Sequence, residues 1–252
     1  MKKIQVVILA AGHGKRMNRN DTPKAMVELS GRPMIDYTLK TVADSGVDDK
    51  PVIVIGKMRE QIRKHLGSSY TYIVQKKQLG TGHAVSCTKR KLQRKVDNIM
   101  VLYADNPLVT PKTIQKLAKT HLKDAVALTM AVVKVSNFND WRRSFYSFGR
   151  IIRDSKGKIL KSIEVKDATL EQRKIREVNP SIYCFNASWL WKNLEKLKNT
   201  NIQGEFYLTD LLELVINQKK SIETIRINTK EAIGVNTEDQ LADAESLLTP
   251  TL

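Results

Sequence analysis

The sequence predicts an α/β protein with a mostly parallel β-sheet that is covered by helices and carries a small antiparallel insertion. Short apolar segments rich in β-branched residues alternate with helical segments through the first half of the chain. The connections between them are short, which favours parallel strands joined by crossover helices. The pattern then changes, and residues 148–168 predict a hairpin that turns at Lys156-Gly157.

The helices of the first half are indicated by their end signals. Pro33 lies in the first turn of one helix, and Gly46 occupies its C-cap position. Gly67 ends a second helix, and Thr110-Pro111 begins a later one with a capping residue and a first-turn proline. The predicted strands are 4–9, 52–55, 72–75, 99–104 and 126–133, and the predicted helices are 33–45, 57–66, 82–94 and one from 110 onward.

The second half adds three predicted features. The hairpin over 148–168 is expected to lie at the sheet edge. Residues 177–191 predict a strand followed by a helix. A terminal helix is expected to be capped by Thr237, with Gln240 placed for a capping box. Because neither repeats nor linkers interrupt the chain, we expect a single domain over 1–252.

The composition is that of a soluble globular protein. Of the 252 residues, 41% are hydrophobic and 27% are charged. No apolar stretch approaches the roughly 20 residues that span a bilayer, and the first apolar run ends at Ala11, too early for a signal peptide. Cys87 and Cys184 are far apart, which disfavours a disulfide framework or a zinc site. We therefore expect a cytoplasmic enzyme without a membrane partner.

The chain is strongly basic, with 43 Lys and Arg against 26 Asp and Glu and a formal net charge of +17. This balance favours anionic partners. The basic residues are spread in small groups, such as Lys89-Arg90-Lys91, rather than gathered in one block. The spread favours a solvated surface over a nucleic-acid groove, so nucleic acid is the less favoured partner.

The first predicted strand runs into a glycine-rich, cationic turn, Gly12-His13-Gly14-Lys15-Arg16. Ligands of open α/β sheets bind beyond the carboxyl ends of the strands, where this turn is expected. Met17 replaces the third glycine of a dinucleotide fingerprint, and Leu9 and Arg16 violate the Walker pattern, which argues against a P-loop kinase or GTPase. Backbone N–H groups and Arg16 suit a polyphosphate, with Lys24 delivered by a stiff Pro-Lys turn. An ordinary tight turn is the alternative.

Two further strand ends carry suggestive residues. Gly80-Thr81-Gly82 follows the strand that ends at Gln75 and could approach a base or ribose, or be a simple connection. His83 is expected to be a loop or helix-start residue. Asp105 follows the strand over 99–104, where a carboxylate suits Mg²⁺, although a lone Asp more often serves a turn. The coincidence of all three at one sheet edge is what indicates a site.

These motifs resemble those of the sugar-nucleotide pyrophosphorylases, and within them the uridylyltransferases that make UDP-N-acetylglucosamine. The matching stretches follow the family's order over nearly the whole chain: LAAGHGKRM with PK, QLGTGHA, LYADNPL, GRIIRD with IEVKDAT, QGEFYLTD and GVNTEDQLADAE. The resemblance implies a Rossmann-like sheet of the nucleotide-diphospho-sugar transferase fold. It also implies a nucleotide-binding half over 1–125, a sugar-phosphate-binding half over 126–235 and a C-terminal helix over 236–252.

The resemblance further implies roles for individual residues. The residues implied to bind the nucleotide are Ala11, Gly12, Gly14, Lys24, Gln75, Gly80 and Thr81, the last three near the uracil. Those implied to be catalytic are Arg16, Lys24 and Asp105. Asp105 and Asn236 are the implied Mg²⁺ ligands. The sugar phosphate is implied to contact Gly149, Glu164, Asn179 and Asn236. For Glu164, Asn179 and Asn236 the prediction rests on the resemblance alone.

The implied reaction transfers UMP from UTP to a sugar 1-phosphate, in the first place N-acetylglucosamine 1-phosphate, and releases pyrophosphate. The alternatives are a reaction with another hexose 1-phosphate or another nucleotide, or a non-catalytic protein on this scaffold that binds nucleotide or nucleic acid. The oligomeric state stays open.

The chain departs from the family pattern in several places. Lys15 replaces a threonine, and Ala104 replaces a glycine. VNPSIY replaces an Asn-Thr-Gly stretch that helps to bind the sugar in the family, so this difference bears on which sugar 1-phosphate is used. The family's second half, a β-helix of hexapeptide repeats, has no counterpart in the sequence, so we expect no acetyltransferase activity.

Overall fold

A ten-stranded sheet forms the centre of the protein. The computed structural model of the protein describes residues 3–12, 14–17, 21–123 and 126–248, and it describes Lys15 by its backbone only. The strands are β1 (Ile4–Ala10), β2 (Glu28–Leu29), β3 (Arg32–Pro33), β4 (Val52–Ile55), β5 (Thr71–Val74), β6 (Asn98–Tyr103), β7 (Leu128–Lys134), β8 (Arg150–Arg153), β9 (Ile159–Ile163), β10 (Glu177–Val178), β11 (Tyr183–Asn186) and β12 (Ile222–Arg226).

Helices cover both faces of this sheet. The α-helices are α1 (Met34–Ser45), α2 (Arg59–Leu66), α3 (Thr81–Ser86), α4 (Lys89–Leu92), α5 (Pro111–Lys123), α6 (Leu170–Arg173), α7 (Ala187–Leu194), α8 (Leu211–Asn217) and α9 (Glu238–Leu248). Shorter 3-10 segments are Lys15–Met17, Lys24–Met26, Asp140–Ser147, Leu208–Asp210 and Thr229–Ala232. Within the described part of the chain, no helix is long and apolar enough to cross a bilayer.

The sheet is mostly parallel, as predicted. Its strand order is β5-β4-β1-β6-β11-β7-β10-β8-β9, with β12 parallel to β7. The neighbours β5, β4, β1 and β6 are all parallel. In contrast, β11 runs antiparallel to both β6 and β7, with Tyr183 opposite Val101 and Met130. The start of β11 therefore lies near the carboxyl ends of its neighbours, at the edge where the predicted site lies.

The antiparallel insertion lies at the end of the sheet, which confirms its predicted position. Strands β8 and β9 form the hairpin, and β10 joins it to β7. Gly157 has φ +81°, and the carboxylate of Asp154 accepts hydrogen bonds from the backbone N–H groups of Lys156 and Lys158, both at 2.9 Å. This is the turn position that the sequence predicts.

Two hydrophobic clusters fill the two faces of the sheet. Alternate residues of β1 divide between them, because successive strand side chains point to opposite faces. Val6 and Ile8 pack with α1, α2, α5 and α9, whereas Val7 and Leu9 pack with α3, α4, α7 and α8. Strands buried on both faces are expected in a helix-covered parallel sheet.

The structure differs from the predicted elements in several places. The helix predicted over 82–94 is divided into α3 and α4, because both the backbone N–H and the hydroxyl of Thr88 bond to the carbonyl of Val85, at 3.0 and 2.7 Å. This i to i−3 bonding tightens the chain between the two helices. Neither the hairpin of β2 and β3 nor the pair α8 and β12 is among the predicted elements. Predicted strand boundaries shift by one or two residues.

Candidate active site

The three predicted loops meet at the carboxyl edge of the parallel strands. The backbone N–H of Ala104 donates to Leu9, at 3.1 Å, and that of Gln75 to Ile55, at 2.8 Å, so the chain remains in register just beyond the strands. Together the loops line a pocket of about 550 Å³, which we call the first pocket and which includes Gly12 and Asp105 among its walls. The sequence-predicted convergence is therefore present.

The first loop wraps around Lys24. The backbone N–H of Lys24 donates to the carbonyl of Gly12 at 3.4 Å. Gly14 has φ +63°, and a Cβ atom there would lie 3.4 Å from the Cβ of Lys24. Glycine thus permits both the backbone conformation and the close approach. His13, Asn18–Asn20 and the Lys15 side chain lie outside the described residues.

Cationic side chains and oxygen atoms from distant parts of the sequence form one cluster at the pocket wall. The ammonium of Lys24 donates to the carboxylate of Asp105 and, at 2.7 Å, to Oδ1 of Asn236. The guanidinium of Arg16 donates to the same Asn236 oxygen at 2.8 Å. A carboxylate oxygen and a carboxamide oxygen therefore converge on a single cationic centre.

Asn236 reaches Asp105 through backbone contacts between residues far apart in sequence. The N–H of Val235 donates to the carbonyl of Asp105 at 2.8 Å. The N–H of Asn236 donates to Oε1 of Gln240 at 2.6 Å, and Thr237 accepts from the N–H of Gln240 at 3.3 Å. The predicted cap at Thr237 is confirmed. The predicted capping box is wrong in one respect. Its Gln240 side chain would accept from the N–H of the cap residue Thr237, but it accepts from the N–H of the preceding residue, Asn236.

The second glycine loop packs against the residues that follow Gly204. Gly80 has φ +101°, and a Cβ atom there would lie 2.6 Å from the carbonyl oxygen of Phe206. The N–H of Gly82 donates to that same carbonyl at 2.8 Å, and the hydroxyl of Thr81 accepts from the N–H of Leu208 at 3.0 Å. The QLGTG and EFYL stretches are therefore hydrogen-bonded to each other and form one wall of the pocket.

Gln75 holds this wall from the end of β5. Its Nε2 donates to the carbonyl of Gly80 and to Nδ1 of His83, both at 3.0 Å. Because Nδ1 of His83 accepts, the ring is assigned as the Nε2–H tautomer. Burial lowers the pKa of His83, which favours this neutral imidazole. His83 lies in the first turn of α3, as expected. Because Gly80 and His83 both accept from Nε2 of Gln75, Oε1 of Gln75 is the atom able to contact a ligand.

A second pocket, of about 810 Å³, adjoins the first. Its walls include three of the residues predicted to contact sugar, which are Gly149, Glu164 and Asn179. The two pockets share five wall residues, and these are Arg16, Thr81, Tyr103, Asp105 and Asn236. The oxygen and cation cluster thus stands where the two pockets join.

Gly149 and Glu164 face each other across the hairpin. A Cβ atom at Gly149 would lie 3.4 Å from Oε1 of Glu164 and 3.2 Å from the hydroxyl of Ser162. Burial raises the pKa of Glu164, and the carboxyl of Asp210 raises it further, while a hydrogen bond from Thr209 opposes the shift. The second pocket therefore contains a carboxylate that water solvates poorly.

Asn179 is 4% exposed, and its carboxamide already has partners within the protein. Its Nδ2 lies 2.7 Å from the hydroxyl of Tyr183, and its Oδ1 accepts from the N–H of Ser181 at 2.9 Å. The backbone N–H of Asn179 donates to the carbonyl of Gly149 at 3.0 Å. Asn179 therefore shapes the wall, and its predicted direct contact with sugar stays a prediction.

Several wall residues are not among those that sequence reasoning identified. They are Gln78, Tyr103 and Glu205 in the first pocket, and Tyr207, Thr209 and Asp210 in the second. Four of them lie in QGEFYLTD, and the match of this stretch to the family pattern is the sequence signal that could have identified them. The structure places the stretch beside Gly80, where it forms a pocket wall. Tyr103, the last residue of β6, precedes Asp105 by two positions, but a half-buried tyrosine at a strand end carries no separate functional signal.

An open α/β sheet with a two-part pocket at the carboxyl ends of its strands is typical of the α/β proteins that bind ligands at that edge of the sheet. The chain belongs to the family of MobA-like NTP transferase domains, whose family model matches residues 6–203. Its relatives include the bifunctional protein GlmU of Acetivibrio thermocellus, 38% identical over 249 residues, which cover 98% of this chain and 52% of that protein. GlmU of Syntrophomonas wolfei is 38% identical over 248 residues, covering 98% and 53%. The chain spans about half the length of the curated relatives it matches.

Solved structures share the fold. A UDP-glucose pyrophosphorylase complexed with UDP-glucose superposes with a TM-score of 0.79 at 17% identity, covering 98% of each chain. A CMP-2-keto-3-deoxy-manno-octonic acid synthetase complexed with CTP gives a TM-score of 0.72 at 18% identity over 100% of each chain. The predicted nucleotide-diphospho-sugar transferase fold is therefore confirmed, and these neighbours differ in the nucleotide they bind.

Proposed function

We propose that this nucleotidyltransferase transfers UMP from UTP to a sugar 1-phosphate, in the first place N-acetylglucosamine 1-phosphate, and releases pyrophosphate. The observation that carries the proposal is the cluster of Lys24, Arg16, Asp105 and Asn236 at the junction of two adjoining pockets. One pocket would take the nucleoside triphosphate and the other the sugar phosphate. The junction is then where the two phosphates meet.

UTP is supported by the state of Gln75. Its amide nitrogen is engaged by Gly80 and His83, so its oxygen is the group left for the base. A hydrogen-bond acceptor at that place suits N3–H of uracil, whereas N3 of cytosine is itself an acceptor. The motif resemblance to the uridylyltransferases that make UDP-N-acetylglucosamine supports UTP as the donor and N-acetylglucosamine 1-phosphate as the acceptor. The identity of 36–38% to GlmU proteins over nearly the whole chain is consistent with that resemblance.

Mg²⁺ fits the oxygen pair of Asp105 and Asn236. Both oxygens already converge on one cation, the ammonium of Lys24, and hard oxygen donors are the ligands Mg²⁺ prefers. Within the described residues no group of three or more His, Cys, Asp and Glu side chains suits a metal, so water and substrate phosphates would complete its coordination. Bound there, Mg²⁺ would neutralise charge on the phosphates and free the Lys24 ammonium to face them.

The chain's own residues would bind and orient the reactants. The attacking oxygen belongs to the sugar phosphate and is already an anion, so no protein nucleophile or base is needed. It forms the new bond to the α-phosphorus while the bond to the pyrophosphate oxygen breaks. Lys24, Arg16 and the backbone N–H groups of Gly12 and Gly14 would stabilise the negative charge at the α-phosphate and on the leaving pyrophosphate. Positioning and electrostatic stabilisation would supply the rate enhancement.

A panel of UTP, CTP and dTTP crossed with N-acetylglucosamine, glucose and galactosamine 1-phosphates, followed by pyrophosphate release, tests the proposal. We expect turnover with UTP and N-acetylglucosamine 1-phosphate. Asp105→Ala should abolish it, and Lys24→Ala should lower kcat by about 10²–10³-fold, the usual effect of removing one charge-stabilising donor. Full activity of either variant would remove that residue from the mechanism. Faster turnover of another pair would replace the proposed substrates.

A further inference from the structure

More than half of the net positive charge falls in the small basic groups of one segment, and the proposed reaction uses none of the cations in that segment. Residues 61–96 contain nine Lys and Arg and neither Asp nor Glu, so they carry +9 of the net +17 in a seventh of the chain. The segment includes β5, at one end of the sheet order, and the helices α3 and α4 beyond it. A segment with positive charge and no acidic residue of its own suits an anionic ligand.

A concave surface gathers part of this charge. A groove of about 790 Å³ runs between β5 and the pair α3 and α4, and we call it the basic groove. Its walls include Lys76 and Lys77, which follow β5, and Arg90 and Lys91 of α4. Its lining contains no carboxylate. Among the described residues these four cations have no carboxylate within 4.0 Å, whereas their neighbour Lys89 pairs with Glu195.

The basic groove is separate from the active-site pockets but touches the same structure. Its lining shares no residue with either pocket. His83 lies in its wall, and the hydrogen bond between His83 and Gln75 is the partition between the groove and the first pocket. A ligand in the groove would therefore lie behind the residue proposed to meet the uracil.

We propose that the basic groove is a second anion-binding site, which takes a small molecule that carries two or more phosphate groups. Its volume is that of a small-molecule pocket. Exposed Lys and Arg bind phosphate as point charges or forks. Single-stranded nucleic acid is less well suited, because it needs aromatic stacking platforms. The aromatic residue in this wall, Tyr72, already has the guanidinium of Arg63 over its ring, at 5.7 Å.

Calorimetric titration with inorganic tripolyphosphate tests the site. We expect two sites on the wild-type protein. The groove variant combines four substitutions, Lys76→Gln, Lys77→Gln, Arg90→Gln and Lys91→Gln. It should weaken the binding of tripolyphosphate at one of the two sites at least tenfold. A control with the same charge change, Lys112→Gln, Lys119→Gln, Lys192→Gln and Lys220→Gln, removes exposed cations elsewhere and should leave both sites intact. Circular dichroism and thermal melting establish that both variants fold.

The outcomes separate this site from the proposed function. Lys24→Ala should weaken the other tripolyphosphate site and leave the basic groove unchanged. The titration of the wild type could instead show a single site, which is lost in the groove variant and kept in Lys24→Ala. That result would support the basic groove and count against the proposed nucleotide site. Titration curves that are the same for the groove variant and the wild type would overturn the proposal. A single-stranded RNA that binds the groove far more tightly than tripolyphosphate would replace it with a nucleic-acid site.

Discussion

Glu164 carries its carboxyl group in a half-buried site of the second pocket, close to the carboxyl of Asp210. Burial is the larger cause, and the Asp210 charge the second, of a pKa for Glu164 above its ordinary value of 4.5. A carboxyl with a raised pKa binds its proton more tightly in the folded state than in the unfolded state. The free energy of unfolding therefore falls as pH rises through the window between 4.5 and the raised pKa.

Glu164→Gln should remove this loss of stability, because glutamine keeps an oxygen for Thr209 and never ionises. We expect the variant to melt at a higher temperature than the wild type at pH 7, with a difference that shrinks at pH 4. Thermal unfolding between these values measures it, with the exposed Glu223→Gln as a matched control. If sugar binding needs the carboxylate, the same variant will raise KM for the sugar phosphate. A pH dependence of stability equal to that of the wild type would show that Glu164 pays no such penalty.

Single residues differ in how far the sequence could predict their place. Lys24 and Asp105 each follow a recognisable local signal, a Pro-Lys turn and a strand end, so their convergence follows from the parallel sheet. Asn236 has no such signal and is predicted only from the resemblance. Its position depends on the bond between Val235 and Asp105, which joins residues 130 positions apart. Such a contact is a property of the tertiary structure and has no trace in the local pattern.

The loop between β5 and α3 packs tightly against the residues that follow Gly204. Gly80→Ala adds a Cβ atom 2.6 Å from the Phe206 carbonyl at a φ of +101°. We expect a loss of about 3 kcal/mol in the free energy of unfolding, because steric overlap and a left-handed backbone act together. Gly157→Ala is the control, since its φ is +81° and it has nothing within 4 Å, and it should cost about 1 kcal/mol. Denaturant unfolding measures both, and equal costs would show that Gly80 is not sterically confined.

The start of α9 places Asn236 through Gln240. Gln240→Ala leaves the N–H of Asn236 without its 2.6 Å acceptor. We expect the Mg²⁺ concentration for half-maximal activity to rise about tenfold, which is typical when a group that orients a metal ligand is removed. Gln240→Glu retains an acceptor oxygen and should restore the wild-type value. An alanine variant with an unchanged Mg²⁺ requirement would mean that Asn236 is positioned by its other contacts, or is not a ligand.

Elements were predictable where local pattern and tertiary role agree. The strands β1, β4 and β6 are short β-branched runs buried on both faces, so their composition alone identifies them. In contrast, β12 has the pattern Ile-Glu-Thr-Ile-Arg, which alternates too weakly to stand out, and it is a strand because β7 offers it a parallel edge. The division between α3 and α4 depends on the Thr88 hydroxyl bonding to Val85, a competition that helix periodicity does not show.

At the scale of the molecule, the dominant feature is a net charge of +17, which would attract the proposed substrates because they are polyanions. Its field should raise the rate of encounter with UTP, an effect that salt screens. We expect kcat/KM for UTP to fall about tenfold as NaCl rises from about 20 to about 200 mM at constant Mg²⁺, whereas kcat at saturation stays nearly constant.

Initial rates measured across this salt range, with the basic-groove variant beside its charge-matched control, also show where the field originates. Both variants have a net charge lower by four, so a field that depends on total charge predicts equally flattened salt curves for the two. A field that originates at the active-site cations Arg16 and Lys24 predicts that neither curve changes. A wild-type kcat/KM for UTP that does not change with salt would mean that encounter with UTP does not limit kcat/KM. The positive charge would then act on other anions, such as the ligand proposed for the basic groove.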